Sequence, residues 1–267
     1  MHKSQVTDIC ILNKFLKKTL LSVKFKLNLM LACKKREVKK VPYPTIVGSG
    51  INSAILHAHP SHKKLLNGKM VLIDAGTEIS SYCIDVTRVF PVNGKFSSQQ
   101  QASYELVLNT QTAAIDFARA GIEWREVHKK SARPIANGLK DLNIVQGEID
   151  SVLESGAISV FYPHGVGHLV GLRVRDTGFN ERDKVNHYYG VSLRVDMKIE
   201  ENMMLTVEPG CYFIPALLQN KSLQEKYRAF INWSEVEKWK DIGGVRIEGD
   251  ILITQGSPEV FTSIIQK

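Results

Sequence analysis

The chain has 267 residues, of which 43% are hydrophobic, and this suits one catalytic domain with a sizeable core. The formal charge is +8, but residues 1–42 contain eleven basic and two acidic residues, so the other 225 residues have a net charge of about −1. The positive charge is therefore confined to one end, which argues against nucleic-acid binding by the domain. No apolar run approaches the roughly eighteen residues of a transmembrane helix, and we expect a soluble protein without a membrane span.

The basic segment, residues 1–42, mixes Leu, Ile, Phe and Lys and contains no glycine. This pattern is compatible with one or two basic amphipathic helices that lie on the body of the protein or on an anionic surface. The segment lacks the long apolar core of a secretory signal and the Arg and Ser content of a mitochondrial presequence. We therefore expect a cytoplasmic protein, with mitochondria as the alternative, and we divide the chain into a divergent tail (1–42) and a catalytic domain (43–267).

The cysteines support the same compartment. None of them shows a paired or metal-binding spacing, which predicts reduced thiols. They are Cys10, Cys33, Cys83 and Cys211.

The first strand signals carry two acids. The apolar run Met70 to Ile73 leads to Asp74, a turn is predicted at Ala75-Gly76, and a second run returns through Tyr82 towards Asp85. Antiparallel strands can place two carboxylates side by side, where each raises the proton affinity of the other unless a cation lies between them. Thr87 is two residues after Asp85, so it points to the same side and is expected to form hydrogen bonds with the carboxylate cluster.

Three helices are predicted after this hairpin. The sequence Ser-Ser-Gln-Gln from Ser97 is typical of a helix start, and this helix is expected to run to Ala120. Helical segments are also predicted over 123–142, with an interruption at Pro134, and over 147–156. The expected fold class is α+β, with a curved antiparallel sheet that has the site inside and helices packed outside.

Two histidines, His164 and His168, lie four residues apart in FYPHGVGHLVG, which we interpret as a strand or tight turn entering a buried site. Taken alone, the pair is equally compatible with histidines that bond to backbone carbonyls in a core. Glu208, in MMLTVEPG, and Glu248, in GGVRIEGDILIT, add two more acids within strand-like apolar runs. Buried carboxylates need a positive charge, and Arg246 alone is insufficient for four of them. Two Asp, His and two Glu form a ligand set that suits divalent ions such as manganese, and bridging carboxylates suit a two-metal site.

These residues occur in the segments IDAG, DVTR, PHGVGH, TVEPG and GVRIE, whose order resembles the metal-ligand motifs of the pita-bread metallopeptidases. The motifs are most similar to those of the proline-specific branch, and the resemblance covers about residues 41–265. It implies a pita-bread fold, a small peptide substrate, a possible homodimer and two Mn²⁺ ions per subunit, with Co²⁺ or Zn²⁺ also accepted. Full Xaa-Pro dipeptidases of this family have an amino-terminal domain and two covering helices that residues 1–40 do not recognisably match, so we expect a truncated or divergent member.

The resemblance also implies individual roles for the five ligands. Asp74 would chelate one ion, His168 and Glu208 the other, and Asp85 and Glu248 would bridge both. Glu208 would also act as the base that takes the proton of the attacking water and delivers it to the proline nitrogen. Thr87 and Arg246 would support the ligands from outside.

Four further residues are expected to contact the peptide. His57 and His164 would hold the substrate or donate to the tetrahedral oxyanion. Arg194 lies fourteen residues before Glu208, where Xaa-Pro dipeptidases carry an arginine that binds the free carboxylate of the dipeptide. Arg175, seven residues after His168, replaces a family histidine that helps to stabilise the reacting carbonyl. An arginine keeps a donor and a charge there but cannot shuttle a proton, which predicts slower turnover or altered specificity.

The predicted function is a manganese-dependent Xaa-Pro dipeptidase that uses a metal-activated water. One alternative is an Xaa-Pro aminopeptidase of the aminopeptidase P type, which acts on longer peptides and for which Arg194 would have no carboxylate to bind. The other is a weak or inactive paralogue that acts as a binding module, favoured by the divergent front end and by Arg175. A simple solvated arginine is also compatible with the position of Arg194.

Overall fold

The computed structural model describes residues 41–177, 187–263, 265 and 267. The predicted tail lies outside the described residues except for its last two positions. Strands in the described part are β1 (Ile46–Ser49), β2 (Met70–Ile79), β3 (Tyr82–Pro91), β4 (His187–Tyr188), β5 (Val191–Ser192), β6 (Met204–Val207), β7 (Gly210–Tyr212), β8 (Gly244–Arg246), β9 (Gly249–Leu252) and β10 (Glu259–Val260). Its α-helices are α1 (Ser98–Phe117), α2 (Trp124–Asp141), α3 (Ile149–Ser155), α4 (Pro215–Leu218), α5 (Lys221–Lys226) and α6 (Trp233–Trp239). Short 3₁₀-helices are found at Gly50–Ala54 and Ala157–Val160.

The strands of the described part pair antiparallel. One sheet has the order β1-β2-β3, a second has the order β10-β9-β6, and two further pairs are β4-β5 and β7-β8. Helices α1 and α2 contribute Val107, Ile135 and Leu139 to a buried core that also contains Met70 and Leu72 of β2. The α+β expectation, with helices packed on antiparallel sheets, is confirmed.

The hairpin of β2 and β3 turns later than the sequence predicts. The predicted turn at Ala75-Gly76 is wrong, because both residues lie within β2, and the chain reverses at Ser80 and Ser81. These serines have positive φ angles of 51° and 69°, as a two-residue hairpin turn of type I′ requires, and Ile79 pairs with Tyr82 across it. Gly76 was mistaken for a turn residue because glycine is a turn signal, whereas here it lies at a close approach of another side chain.

The helices follow the predicted order with shifted ends. Ser97 is the N-cap of α1, and it forms a capping box in which its Oγ accepts from the Gln100 N–H at 3.3 Å and the Gln100 side chain accepts from the Ser97 N–H at 2.9 Å. Helix α1 ends at Phe117 rather than Ala120, and α3 is shorter than predicted. The predicted interruption at Pro134 is wrong, because α2 continues through it. An interior proline costs about 3 kcal/mol, which the burial of one complete face of α2 offsets.

The FYPHGVGHLVG segment, Phe161 to Gly171, is an irregular loop that runs alongside β6, and we call it the site loop. The carbonyls of Val166 and His168 accept hydrogen bonds of 2.8 Å from the N–H groups of Glu208 and Thr206. This contact needs Gly167, because a Cβ atom there would lie 1.9 Å from the carbonyl oxygen of Thr206. The loop therefore joins the β10-β9-β6 sheet at the position where the candidate site begins.

Candidate active site

The five predicted metal ligands line one cavity of about 490 Å³. Asp74 lies on β2, Asp85 on β3, Glu208 directly after β6, Glu248 between β8 and β9, and His168 on the site loop. Glu208 is partly exposed and the other four side chains are buried. Strand pairing explains how acids that are distant in sequence come to share one space.

The hairpin register places the two aspartates on one face. Asp74 pairs with Thr87, and Asp85 pairs with Gly76. Paired residues point to the same side of an antiparallel sheet, and so do residues two apart on one strand. The carboxylates of Asp74 and Asp85 therefore face the same interior, as predicted, although the turn lies elsewhere.

His168 is oriented towards the carboxylates. Its Nδ1 donates to the carbonyl oxygen of Leu169 at 2.9 Å, so in the neutral ring Nε2 carries a lone pair. That Nε2 lies 3.7 Å from Oδ2 of Asp85 and 3.5 Å from Oε1 of Glu208. A lone pair that faces two carboxylates is repelled by them unless a cation or a proton lies between them. The hydrogen bond from Nδ1 to a backbone carbonyl is the usual support for a histidine that binds a metal through Nε2.

Burial and neighbouring acids make the ionised form of two of the carboxyl groups unfavourable. Burial, followed by the neighbouring Glu248 and Asp74, raises the pKa of Asp85 well above its usual value, and burial and Glu208 do the same for the pKa of Glu248. Ligand atoms of Asp85, His168 and Glu248 all lie within 4.8 Å of one another, a spacing at which one divalent ion can contact all three. These donors therefore fit a metal ion, whose charge would remove the repulsion.

Glu208 differs from the other acids. Burial acts to raise its pKa, but His168, His164, Arg246 and Arg175 together lower the pKa of this carboxyl below its usual value. Glu208 is thus held ionised at neutral pH, as a proton acceptor must be.

Arg246 provides positive charge behind the acids. Its Nη2 lies 2.6 Å from Oδ2 of Asp74, and its Nε donates to Oγ1 of Thr87 at 3.1 Å. Thr87 in turn donates to Oε2 of Glu248 at 2.5 Å. Arg246 and Thr87 therefore connect the acids from β2 and from the β8–β9 segment in one buried network.

The four predicted substrate residues line the same cavity. Nε2 of His164 lies 2.9 Å from the hydroxyl of Tyr212, and its Nδ1 donates to the carbonyl oxygen of Gly165. Nη2 of Arg175 donates to Nε2 of His57 at 3.2 Å, so this nitrogen of His57 carries no proton. Arg194 follows β5, is exposed and lines the cavity. The structure thus brings together every predicted site residue, and their individual roles stay predictions.

Comparison with known proteins identifies the family. Residues 13–255 match the sequence model of metallopeptidase family M24. The chain belongs to metallopeptidase family M24. This match begins inside the segment that we assigned to a tail, and the boundary at residue 42 stays a prediction.

Several M24 relatives are named after peptidases that act at proline. The chain is 35% identical over 235 residues to a probable Xaa-Pro aminopeptidase of Leptosphaeria maculans, covering 86% of this chain and 41% of the relative. It is 35% identical over 228 residues to the human Xaa-Pro dipeptidase, covering 83% of this chain and 46% of the relative. The chain therefore spans about half the length of the curated relatives that it matches.

Solved structures of aminopeptidase P share the fold. An Escherichia coli aminopeptidase P variant in complex with substrate matches with a TM-score of 0.82 and 28% identity, covering 99% of this chain and 55% of that one. Pseudomonas aeruginosa aminopeptidase PepP matches with a TM-score of 0.82 and 32% identity over the same shares of the two chains. These matches confirm the pita-bread fold expected from the sequence motifs. Among the residues described, no helix combines the length and apolar character needed to span a membrane.

One residue that contacts this M24 site was not predicted. The hydroxyl of Tyr43 lies 2.5 Å from Oδ1 of Asp74 and also contacts Oδ1 of Asp85, so the two carboxylates share its one proton. Its ring has room because Gly76 has no side chain, and a Cβ atom there would lie 2.6 Å from Cε1 of Tyr43. Burial and the charges of Asp74 and Asp85 raise the pKa of Tyr43 well above its usual value, so it remains a donor. The sequence signal was weak, since Tyr43 stands between two prolines before β1.

Asp250 was also missed, although its position was readable. It follows Glu248 by two residues, so the two acids share a face, and its Oδ2 accepts from the N–H of Asp85 at 3.0 Å. Burial raises the pKa of Asp250 to about 8. Asp250, on β9, therefore holds the backbone of β3 at the position of Asp85.

Proposed function

We propose that this chain carries the active site of a manganese-dependent Xaa-Pro dipeptidase, a hydrolase that cleaves dipeptides ending in proline. The observation that carries the proposal is the presence, in one cavity, of five metal-compatible side chains and the exposed guanidinium of Arg194. The names of the M24 relatives support cleavage at proline.

Divalent ions, Mn²⁺ in this proposal with Co²⁺ or Zn²⁺ as substitutes, would be held by the five ligands and would supply water activation and carbonyl polarisation. The five are Asp74, Asp85, His168, Glu208 and Glu248. We assign two ions to each subunit, as the resemblance of the sequence motifs implies.

The other steps belong to side chains of the protein. Glu208, which is held ionised, takes the proton of the attacking water and returns it to the proline nitrogen. His164 lies at the wall of the cavity, where its Nδ1 donates to the Gly165 carbonyl and its Nε2 faces the Tyr212 hydroxyl. In the neutral ring it therefore has no proton for the oxyanion, and we assign it to holding the substrate. Nε2 of His57 accepts from Arg175, so in the neutral ring the proton that His57 can offer the substrate is on Nδ1.

Arg194 favours a dipeptide over a longer peptide. The proposal places the free carboxylate of the terminal proline on its guanidinium, which fits a carboxylate as a planar fork. An internal proline in a longer peptide has no carboxylate at that position, and the charge of Arg194 would be left without its partner.

Aminopeptidase P activity is the second candidate. It is favoured by the names of the fungal relatives and by the matched bacterial structures. A non-catalytic binding role is the third candidate, favoured by Arg175 at the position of the family histidine.

The test is hydrolysis of Ala-Pro and Ala-Pro-Ala by the purified chain, with Mn²⁺ and with a chelator. We expect Mn²⁺-dependent cleavage of Ala-Pro. Preference for the tripeptide would instead establish the aminopeptidase, and lack of cleavage of both peptides by manganese-loaded protein would support the binding module.

Two variants separate chemistry from folding. Glu208→Gln keeps the size of the side chain but removes the base, so we expect less than a few per cent of the activity. Glu200→Gln changes an exposed acid on the same segment and should leave the activity unchanged. Retention of substantial activity in Glu208→Gln would contradict the assignment of the base.

A further inference from the structure

The two exposed arginines of the cavity differ from Arg246 in their partners. Arg246 is buried and pairs with Asp74 at 2.6 Å. Arg175 and Arg194 are exposed, and among the described residues no carboxylate lies within 4.0 Å of either guanidinium. Both residues line the cavity, so their charges are accessible to a substrate bound there.

The arginines also act on each other and on their neighbours. Burial, then the charge of Arg175, lowers the pKa of Arg194. Burial lowers the pKa of His57, and Arg175, Arg246 and Arg194 lower it further. Like charges that are close in a cavity repel each other unless an anion binds between them. Cations bound by the carboxylate cluster would increase this positive potential.

A dipeptide ending in proline brings one anion to this space, its terminal carboxylate. Under the proposed function that carboxylate binds Arg194, which leaves the guanidinium of Arg175 without an anionic partner. Arg175 lies beside His57, on the β1 side of the cavity, whereas Arg194 follows the β4-β5 hairpin. The two arginines thus reach the cavity from different segments of the chain, and each guanidinium is open to its own anionic group of the substrate.

We propose that the cavity selects peptides with a second carboxylate, namely dipeptides in which Asp or Glu precedes the proline, and that Arg175 binds this acidic side chain. The inference rests on the proposed function and names the substrate class of the same site. A guanidinium is suited to this role because it is always charged and can bind a carboxylate through two parallel hydrogen bonds.

The test compares kcat/KM for Glu-Pro and Gln-Pro, which differ in charge but hardly in size. We expect the wild-type protein to favour Glu-Pro by about tenfold or more, which corresponds to about 1.4 kcal/mol. Arg175→Gln should abolish this preference, mainly through KM. Arg173→Gln is the matched control, because Arg173 is exposed on the same loop and does not line the cavity. Arg175→Glu should favour Lys-Pro.

The outcomes separate this inference from the proposed function. If the wild type cleaves Glu-Pro and Gln-Pro equally well, the acidic specificity is refuted and the dipeptidase proposal stands. If Arg175→Gln lowers kcat equally for all dipeptides, Arg175 acts on the reacting carbonyl and the inference is again refuted. If no dipeptide is cleaved, calorimetry in chelator measures the binding of Glu-Pro and Gln-Pro instead. Tighter binding of Glu-Pro than of Gln-Pro by the wild type, but not by Arg175→Gln, supports the acidic specificity. Equal or absent binding overturns the acidic specificity.

Discussion

Arg246 offers a quantitative test of how the site tolerates its charges. The Arg246 side chain is 5% exposed and the Asp74 side chain 9%, and their charged atoms are 2.6 Å apart. Replacing Arg246 with Met keeps an unbranched side chain but leaves the Asp74 carboxylate buried without this partner. Removing one member of a buried ion pair typically costs about 3–5 kcal/mol, a large part of the roughly 5–15 kcal/mol that stabilises a domain.

The assay is urea unfolding followed by circular dichroism, in chelator and in Mn²⁺. In chelator, we expect Arg246→Met to lose about 3–5 kcal/mol of unfolding free energy. A divalent ion replaces part of the missing charge. A ligand at a concentration of about 100 times its Kd adds roughly 2.7 kcal/mol to the free energy of unfolding. Manganese should therefore stabilise the variant more than it stabilises the wild type.

The control is Arg228→Met. Arg228 forms an ion pair with Glu225 at 3.1 Å, but the two side chains are 76% and 73% exposed, so solvent screens the interaction. We expect a change within about 0.5 kcal/mol and no dependence on manganese. Equal losses for the two variants in chelator would refute the argument that Arg246 compensates buried charge.

Three further predictions concern residues around the site. Tyr43→Phe should lower the affinity for Mn²⁺ by roughly tenfold or more in calorimetry, because the hydroxyl orients two ligands, whereas Tyr82→Phe, at an exposed tyrosine, should not. Nε of Arg125 lies 3.1 Å from the carboxylate of Asp196, which is two residues after Arg194 and holds the same segment in place. Arg125→Met should therefore disturb the position of Arg194 and raise KM more than it lowers kcat. An unchanged KM would contradict this prediction. Burial lowers the pKa of His128 to about 3, so between pH 6.5 and pH 3 the unfolded chain binds a proton that the folded chain does not, and the free energy of unfolding falls as the pH falls. His128→Gln should reduce this pH dependence by up to about 1.4 kcal/mol per pH unit. Identical pH dependence for the variant and the wild type in urea titrations would refute the prediction.

The hairpin shows how far local pattern carries the fold. Two apolar, β-prone runs were sufficient to predict two paired strands with Asp74 and Asp85 on one face. It was insufficient for the turn, because Gly76 can serve either as a turn residue or as a gap for another side chain. The pairing of Gly76 with Asp85 and the position of Tyr43, which is distant in sequence, show which role applies.

Pro134 makes the same point for the helices. A proline indicates a helix end because it removes a hydrogen-bond donor, and that cost is local. The burial of α2 is a property of the assembled core, and it outweighs the local cost.

The sequence by itself determined the residue types of the site, their order and the strands that carry most of them, because buried carboxylates in apolar runs are rare enough to be informative. The tertiary structure alone decided which side chains share a space. The network from Tyr43 through Asp74 to Arg246, the bond from Arg175 to His57 and the support of Asp85 by Asp250 all join residues that are far apart in the chain. Such contacts depend on distance and orientation in three dimensions, and neither is encoded by spacing along one strand.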